Sequence, residues 1–256
     1  MLLEGNLDNL ENLLKEFQYL HQNIVLETIP KNQELLKQFF ELRENHRTEN
    51  QKKSINLNIF NYFQPNETMH SKLLAMLLNP LGEHGQGNVF IHSFLNKLGI
   101  KYNSETDKWK VTAEIGRIDI LIKSTSGHII IIENKSNWAV DQDSQLYRYW
   151  YKEMYRPNLN KNKDPNYTLT ATEKFQIIYL APNLNKTPSE YSLKKCSLID
   201  PENIDGLPEK LEDHHVKQWT FKDNIVVWLE EQLPLFNQNH RLREYLLQYI
   251  ELWKTN

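Results

Sequence analysis

This 256-residue chain carries a single cysteine, Cys196, which excludes an intramolecular disulfide framework and a cysteine-rich zinc site. Its longest fully apolar run, Leu73 to Leu78, falls far short of the ~20 residues that a membrane-spanning helix needs. No basic stretch followed by an apolar segment opens the sequence, so the expectation is a cytoplasmic protein without membrane contact. Positive charge is not in excess either. The formal net charge is -3, and no global attraction for nucleic acid follows from it. Internal repeats and Ser- or Gly-rich linkers are missing. Gly82, Gly85 and Gly87 do not make a phosphate-cradling loop, and no serine-hydrolase elbow surrounds Ser71. What is present is a globular composition, 39% hydrophobic and 25% charged, long enough for one large domain or two small ones.

Charge is uneven along the chain. From Met1 to Pro30 there are five acidic residues and one lysine; from Lys101 to Lys174 there are twelve Lys or Arg against ten Asp or Glu. A metal that neutralised some of those acids would leave the second stretch weakly basic.

Apolar spacing predicts amphipathic helices over Leu7 to Leu20 and Gln33 to Leu42, each expected to bury its stripe as packing support. Arg43 to Ser54 is polar, fitting a loop or an exposed helix extension. Pro65-Asn66-Glu67-Thr68 opens another helix, with Asn66 or Thr68 as its cap and Leu73, Leu74, Leu77 and Leu78 as its buried side, until Asn79-Pro80 stops it. Asn88 to Leu98 reads as helix. Trp109 to Ile115, Ile118 to Ile122 and Ile129 to Ile132 read as strands, the third apolar on both faces and therefore central. Asp141 or Asp143 is placed to cap a helix running through Leu146, Tyr149 and Trp150. Arg156 to Thr170 reads as a loop and Phe175 to Leu180 as a further buried strand. Short and longer helices are expected over Pro208 to Asp213, Phe221 to Leu233 and Arg241 to Trp253. This order favours a single α/β domain over residues 1–256, with a core near 63–182 and helical elaborations at both ends.

Chemistry concentrates in the middle strands. Gly116-Arg117-Ile118-Asp119-Ile120-Leu121-Ile122 is followed by Ile129-Ile130-Ile131-Ile132-Glu133-Asn134-Lys135. Alternation along a strand points Glu133 and Lys135 the same way and Asn134 the other. A hairpin can bring Asp119, Glu133 and Lys135 around one point. Hard carboxylate oxygens there suit Mg²⁺, with Mn²⁺ able to replace it, and an ammonium beside the ion suits phosphodiester hydrolysis. The rival reading is a salt-bridge network at the strand ends.

With Gln145-Leu146-Tyr147-Arg148-Tyr149 following, these segments resemble the PD-(D/E)xK nuclease superfamily. Asn66 to Ser71 and Leu77 to Pro80 are similar to a bacterial branch of uncharacterised or defence-associated members. The usual proline before the aspartate is replaced by Ile118. The resemblance spans Phe63 to Pro182 and implies a restriction-endonuclease-like core, a central four-stranded mixed sheet flanked by helices. It implies that Asp119, Glu133 and Lys135 are catalytic, joined by Glu67 from the leading helix and Gln145 from the helix after the strand. The implied metal ligands are Asp119, Glu133 and Glu67. DNA is the implied substrate ahead of RNA, with a homodimer if both strands are cut together.

Several residues stay open between site and scaffold. Glu67 either serves the metal, directly, through water or by holding its ligands in place, or only supports its helix start. His70 either contacts phosphate, tunes Glu67 or satisfies a buried backbone carbonyl. Arg117 either touches phosphate or pairs with an acid. His84 either closes over substrate or faces solvent. Arg148 and Lys152, with Arg156, Lys161 and Lys163, are candidates for nonspecific backbone contacts. The rival functions are an RNase using the same site and a binding or assembly module without catalysis.

Overall fold

β-Branched residues build the centre of the molecule. Five strands form one sheet: Trp109–Ile115 (β1), Ile118–Ser124 (β2), Ile129–Asn134 (β3), Phe175–Ala181 (β4) and Val216–Thr220 (β5), in the order β1-β2-β3-β4-β5. The computed structural model describes residues 4–54, 56–159, 164, 166–195 and 206–255. Cys196, Lys161, Lys163 and the side chains of Leu7 and Leu10 lie outside the described residues. β1 to β3 are antiparallel neighbours, whereas β4 runs parallel to β3 and β5 parallel to β4. The fold class is the expected α/β arrangement with a central mixed sheet, but with five strands where four were expected. β5 escaped the sequence reading because Lys217 and Gln218 interrupt its apolar pattern. As a neighbour of β4 alone it needs only one side of its ladder and can carry polar side chains.

β1 and β2 join in a two-residue turn. Ile115 pairs with Ile118, and Gly116 and Arg117 have φ of 68° and 69°, the mirror-image turn whose twist matches that of its strands. Glycine tolerates this backbone freely; Arg117 adopts it as one of few non-glycine residues.

Alternation along the strands sends side chains to two cores. Ile120, Ile122, Ile130, Ile132, Ile178 and Leu180 pack with the helices Glu67–Leu78, Val89–Leu98 and His240–Thr255. Ile129, Ile131, Ile177 and Tyr179 pack on the other face with Leu146, Tyr147, Trp150 and Tyr155. A strand covered on both sides must be apolar throughout, which accounts for the unbroken isoleucine run of β3.

The helix Glu67–Leu78 begins as expected. The Asn66 side chain accepts from the Met69 amide at 2.9 Å, satisfying one orphan donor of its first turn. Leu74, Leu77 and Leu78 are buried and Leu73 is half-buried. After β3, neither Asp141 nor Asp143 caps the helix Gln145–Tyr149: the capping position is Ser144, at φ 49° and without a side-chain cap. Both acids are engaged elsewhere, Asp141 by tertiary contacts and Asp143 by the Ser144 hydroxyl. Helical structure then runs on through a π-helical stretch, Trp150–Tyr155, to Arg156–Asn158, where a loop was expected, and Tyr167–Thr170 forms another turn. Pro208 to Asp213 is not a helix. Lys210 forms an isolated bridge with Lys194, and Asp213–His215 is a short 3-10 turn. Phe221 opens a π-helical turn that passes into the helix Val227–Gln232.

The chain divides into two compact units, residues 1–57 and 58–256. The second contains the sheet. The first contains the helices Glu4–Asn23 and Ile29–Lys53, linked by the π-helical Ile24–Thr28. The polar stretch after Leu42 is therefore an exposed helix extension. The expected burial of the apolar stripe does not occur in the helix Ile29–Lys53, which buries none of its residues. Among the described residues no helix is long and apolar enough to cross a membrane.

Candidate active site

Asp119 near the start of β2, Glu133 at the end of β3, Lys135 just past it and Gln145 of the following helix come together. Asp119 Oδ2 accepts the Asn134 backbone amide at 2.6 Å, which ties the β2 carboxylate to the end of β3. One residue earlier, Glu133 Oε1 accepts from Lys135 Nζ at 2.7 Å and from Gln145 Nε2 at 2.7 Å. Lys135 Nζ also lies 3.3 Å from Gln145 Oε1 and 3.7 Å from Asp141 Oδ1. Glu133 and Lys135 thus share a side of the sheet, as alternation requires. Asn134 faces the opposite layer, where its amide donates to Glu67 O and Ser71 Oγ. Glu133, Lys135 and Gln145 are all buried.

Gln145 works from both ends, with its carbonyl toward Lys135 and the Gln142 amide and its NH₂ on Glu133 and the Tyr149 hydroxyl. Tyr149 in turn donates to the Arg117 carbonyl, so the β1–β2 turn, the helix and the β3 carboxylate form one hydrogen-bonded chain. Asp141 accepts from the Tyr179 hydroxyl at 2.9 Å and from the Ser189 amide at 2.7 Å. Asp141 and Tyr149 were not among the expected site residues. The four-residue spacing from Gln145 to Tyr149 puts both on one helix face and is a usable signal. The sequence marks Asp141 only as a candidate cap; its hydrogen-bond partners Tyr179 and Ser189 are 38 and 48 residues away.

The electrostatics are those of acids crowded out of water. Burial pushes Asp119 up to about 6 against the opposing pull of the Asn134 amide, and Glu114 and Glu67 add to the rise. Burial, with Asp119 next, pushes Glu133 up to about 8. Burial works against the Lys135 charge, but Glu133, Asp141 and Glu67 outweigh it and raise its pKa. The two partners pull differently: Glu133 is drawn towards its neutral form while Lys135 is held charged. We take the Lys135 cation as the firmer feature, because three acids act on it in the same direction.

A divalent ion fits these residues. Asp119 and Glu133 offer hard oxygens, each resists ionising without a nearby cation, and Glu133 Oε2 is buried with no hydrogen-bond partner. Such an orphan acceptor is uncommon in a folded interior. Among the described residues no group of three or more His, Cys, Asp or Glu side chains stands close enough to hold an ion. An ion here would therefore take most of its shell from water and phosphate, as Mg²⁺ commonly does.

Glu67 does not complete a three-acid cluster. Its Oε1 lies 3.3 Å from the amides of both Asn137 and Ala139, and so anchors the loop that follows Lys135, while its charge still acts on Asp119 and Lys135. His70 joins the aromatic residues Phe221, Tyr249 and Trp253, with Nδ1 2.9 Å from the Tyr249 hydroxyl; burial lowers its pKa to about 4 and keeps it neutral. Ser71 is buried, donating to Glu67 O. His84 shapes its own loop through Asn79 O and the Gln86 amide. Arg117 is exposed at the β1–β2 turn, and a Cβ on neighbouring Gly116 would stand 3.1 Å from Lys152 Nζ, so Lys152 lies beside the same turn. Lys152 also approaches Glu153 at 3.6 Å. Arg148 Nη2 reaches Gln142 Oε1 at 3.5 Å, and its Nε is buried without a partner.

A family model described as the PD-(D/E)XK nuclease superfamily matches residues 57–251, nearly the whole of the sheet-bearing unit. No curated protein and no solved structure matches the chain.

Proposed function

Since the chain belongs to the PD-(D/E)XK nuclease superfamily, we propose that it is a divalent-metal-dependent nuclease that hydrolyses phosphodiester bonds of DNA. The observation that carries this reading is the buried, unpartnered Glu133 Oε2, in a carboxylate that Asp119 perturbs and that holds Lys135 at 2.7 Å. Asp119 and Glu133 would hold Mg²⁺, or Mn²⁺ in its place, and the bound ion would polarise the phosphoryl group and acidify a water molecule.

The chain's own residues divide the remaining work. Lys135, kept protonated by its acidic neighbours, orients the attacking water and offsets charge building on the phosphate oxygens rather than removing a proton. Gln145 fixes the Glu133 carboxylate and the Lys135 ammonium relative to each other, so that neither has to reorganise as the phosphate reacts. Glu67 and Asp141 are positioning residues, acting on the loop after β3 and on Lys135. Arg117 and Lys152, beside the β1–β2 turn, supply local positive charge along the phosphate path, which a chain of net charge -3 needs. Arg148 follows Gln145 by three residues on the same helix and extends that path. DNA ranks ahead of RNA through the family resemblance, which also suggests defence against foreign DNA as the setting. Pairing of two chains would let both strands be cut together.

The test is cleavage of matched single- and double-stranded DNA and RNA by the purified protein with Mg²⁺, with Mn²⁺ and with EDTA. Metal-dependent cutting of DNA supports the proposal. Cutting of RNA alone moves it to the RNase reading, and no cutting of any substrate contradicts it.

A further inference from the structure

The loop that Glu67 anchors, which follows Lys135 in the chain, forms part of the lining of a cavity of about 940 Å³, together with Asn183, Lys222 and the aromatic residues His70 and Trp253. Three observations set this cavity apart from an ordinary surface cleft. Trp138 stands half-exposed on that loop, at 50%, with φ of 62°, a backbone that a bulky residue adopts only where its surroundings impose it. Here the imposition is visible: Glu67 binds the amides on either side of Trp138, and the Trp138 amide donates to Lys135 O at 3.0 Å. The same loop holds Ser136, 6% exposed, whose Oγ is buried without a hydrogen-bond partner. Lys222 and Asp223 also line the cavity; Lys222 is an exposed cation, and Asp223 accepts from the Thr220 hydroxyl at 2.8 Å.

An indole, side-chain amides and a lysine are the chemistry that recognises a nucleotide: a face for the base, donors and acceptors for its edge, a charge for its phosphate. The volume suits a ligand of that size. A base inside a duplex is paired and stacked and cannot enter a concave cavity without leaving the helix. We propose that this cavity takes one unpaired nucleotide next to the phosphate under attack. Its base stacks on Trp138, its edge meets Asn137 and Asn183, and Lys222 contacts its phosphate. The substrate class is then single-stranded or locally unpaired DNA. The inference rests on the nuclease reading for the bond that is cut, but not for the binding itself.

The experiment is binding of a labelled single strand and its matching duplex to the full chain in EDTA, so that nothing is cut. Alongside it runs the fluorescence of a 2-aminopurine base placed in the single strand. The single strand should bind more tightly than the duplex, and 2-aminopurine should be quenched on binding. Trp138→Ala should weaken single-strand binding by about 5- to 150-fold, Trp138→Phe should recover most of it, and both should leave duplex binding unchanged. Lys222→Met should reduce the salt dependence of single-strand binding by about one phosphate contact. Equal binding of the two forms, no quenching in the wild type, or wild-type affinity in a folded Trp138→Ala variant would each overturn the inference. Metal-dependent cleavage in the same preparations separates the two claims. A protein that cuts single-stranded DNA at an unchanged rate as Trp138→Ala defeats the unpaired-nucleotide cavity and leaves the nuclease reading standing. One that binds the single strand through Trp138 yet cuts nothing defeats the nuclease reading alone.

Discussion

Replacing Asp119 by asparagine removes a charge that the metal-free fold opposes, and the size of that opposition can be worked from its surroundings. The carboxyl is pushed up to about 6 from an ordinary 3.8, chiefly by burial. A shift of about two units corresponds to ~3 kcal/mol against the ionised form. Asp119 is half-buried rather than fully enclosed, so water relaxes part of this and ~2 kcal/mol is the working figure. The sign follows from proton linkage. A raised carboxyl pKa means that the folded protein holds the proton more tightly than the unfolded chain, so its stabilising contribution is complete below about pH 4 and is lost as pH rises through about 6. At pH 7.5 in EDTA it is gone from the wild type, whereas Asp119→Asn keeps a neutral side chain that can still accept the Asn134 amide. The variant should then melt roughly 4–8 °C above the wild type, for a unit of this size, and the gap should close towards pH 4. Saturating Mg²⁺ should reverse the order, because an ion bound to the folded state stabilises only the chain that holds it. Thermal melts followed by circular dichroism, across pH with and without metal, measure all of this. A variant less stable than wild type at pH 7.5 in EDTA, or a gap independent of pH, would refute the crowded-carboxylate reasoning.

Lys135→Met should destabilise the protein by ~3–5 kcal/mol at neutral pH, since it breaks the buried contacts of Lys135 with Glu133 and Asp141; urea denaturation at pH 7.5 should show it as a lowered midpoint. Gln145→Leu keeps the acids and the lysine but frees their orientation, and turnover should fall by about 10- to 100-fold while the fold, read by circular dichroism, is retained. Asn66→Ala removes the acceptor for the Met69 amide and should lower stability by ~1 kcal/mol, seen as a shifted urea midpoint with an unchanged slope.

What the sequence displays most openly is whatever depends on local pattern. The isoleucine run of β3 announces a strand covered on both faces, and its alternation places Glu133 with Lys135 and Asn134 opposite, as the structure has them. Asn66 announces a helix start because capping is a contact over three residues. Tertiary choices were harder to see. Asp141 has the chemistry of a cap, but the Tyr179 hydroxyl and the Ser189 amide, both distant in sequence, claim it first. For Glu67 the chain leaves open a metal ligand, a water-mediated one or a residue that holds the ligands in place, and its reach to the amides of Asn137 and Ala139 comes from the fold. β5 has too little apolar pattern to stand out and forms because β4 offers it a ladder. The π-helical stretch Trp150–Tyr155 carries helical structure into a segment whose composition suggests a loop, since Trp150, Met154 and Tyr155 are buried against the sheet.

The central claim is that Asp119 and Glu133 together hold the metal on which cleavage depends, and the Asp119→Ala/Glu133→Ala double variant tests it most directly. Removing both side chains relieves their mutual repulsion but takes from buried Lys135 its 2.7 Å partner, leaving Asp141 at 3.7 Å, so circular dichroism must first show that the variant is folded. Its turnover on DNA should fall at least ~1,000-fold below wild type in saturating Mg²⁺ or Mn²⁺, the scale on which electrostatic transition-state stabilisation is lost. A folded double variant that cleaves at the wild-type rate would contradict the account.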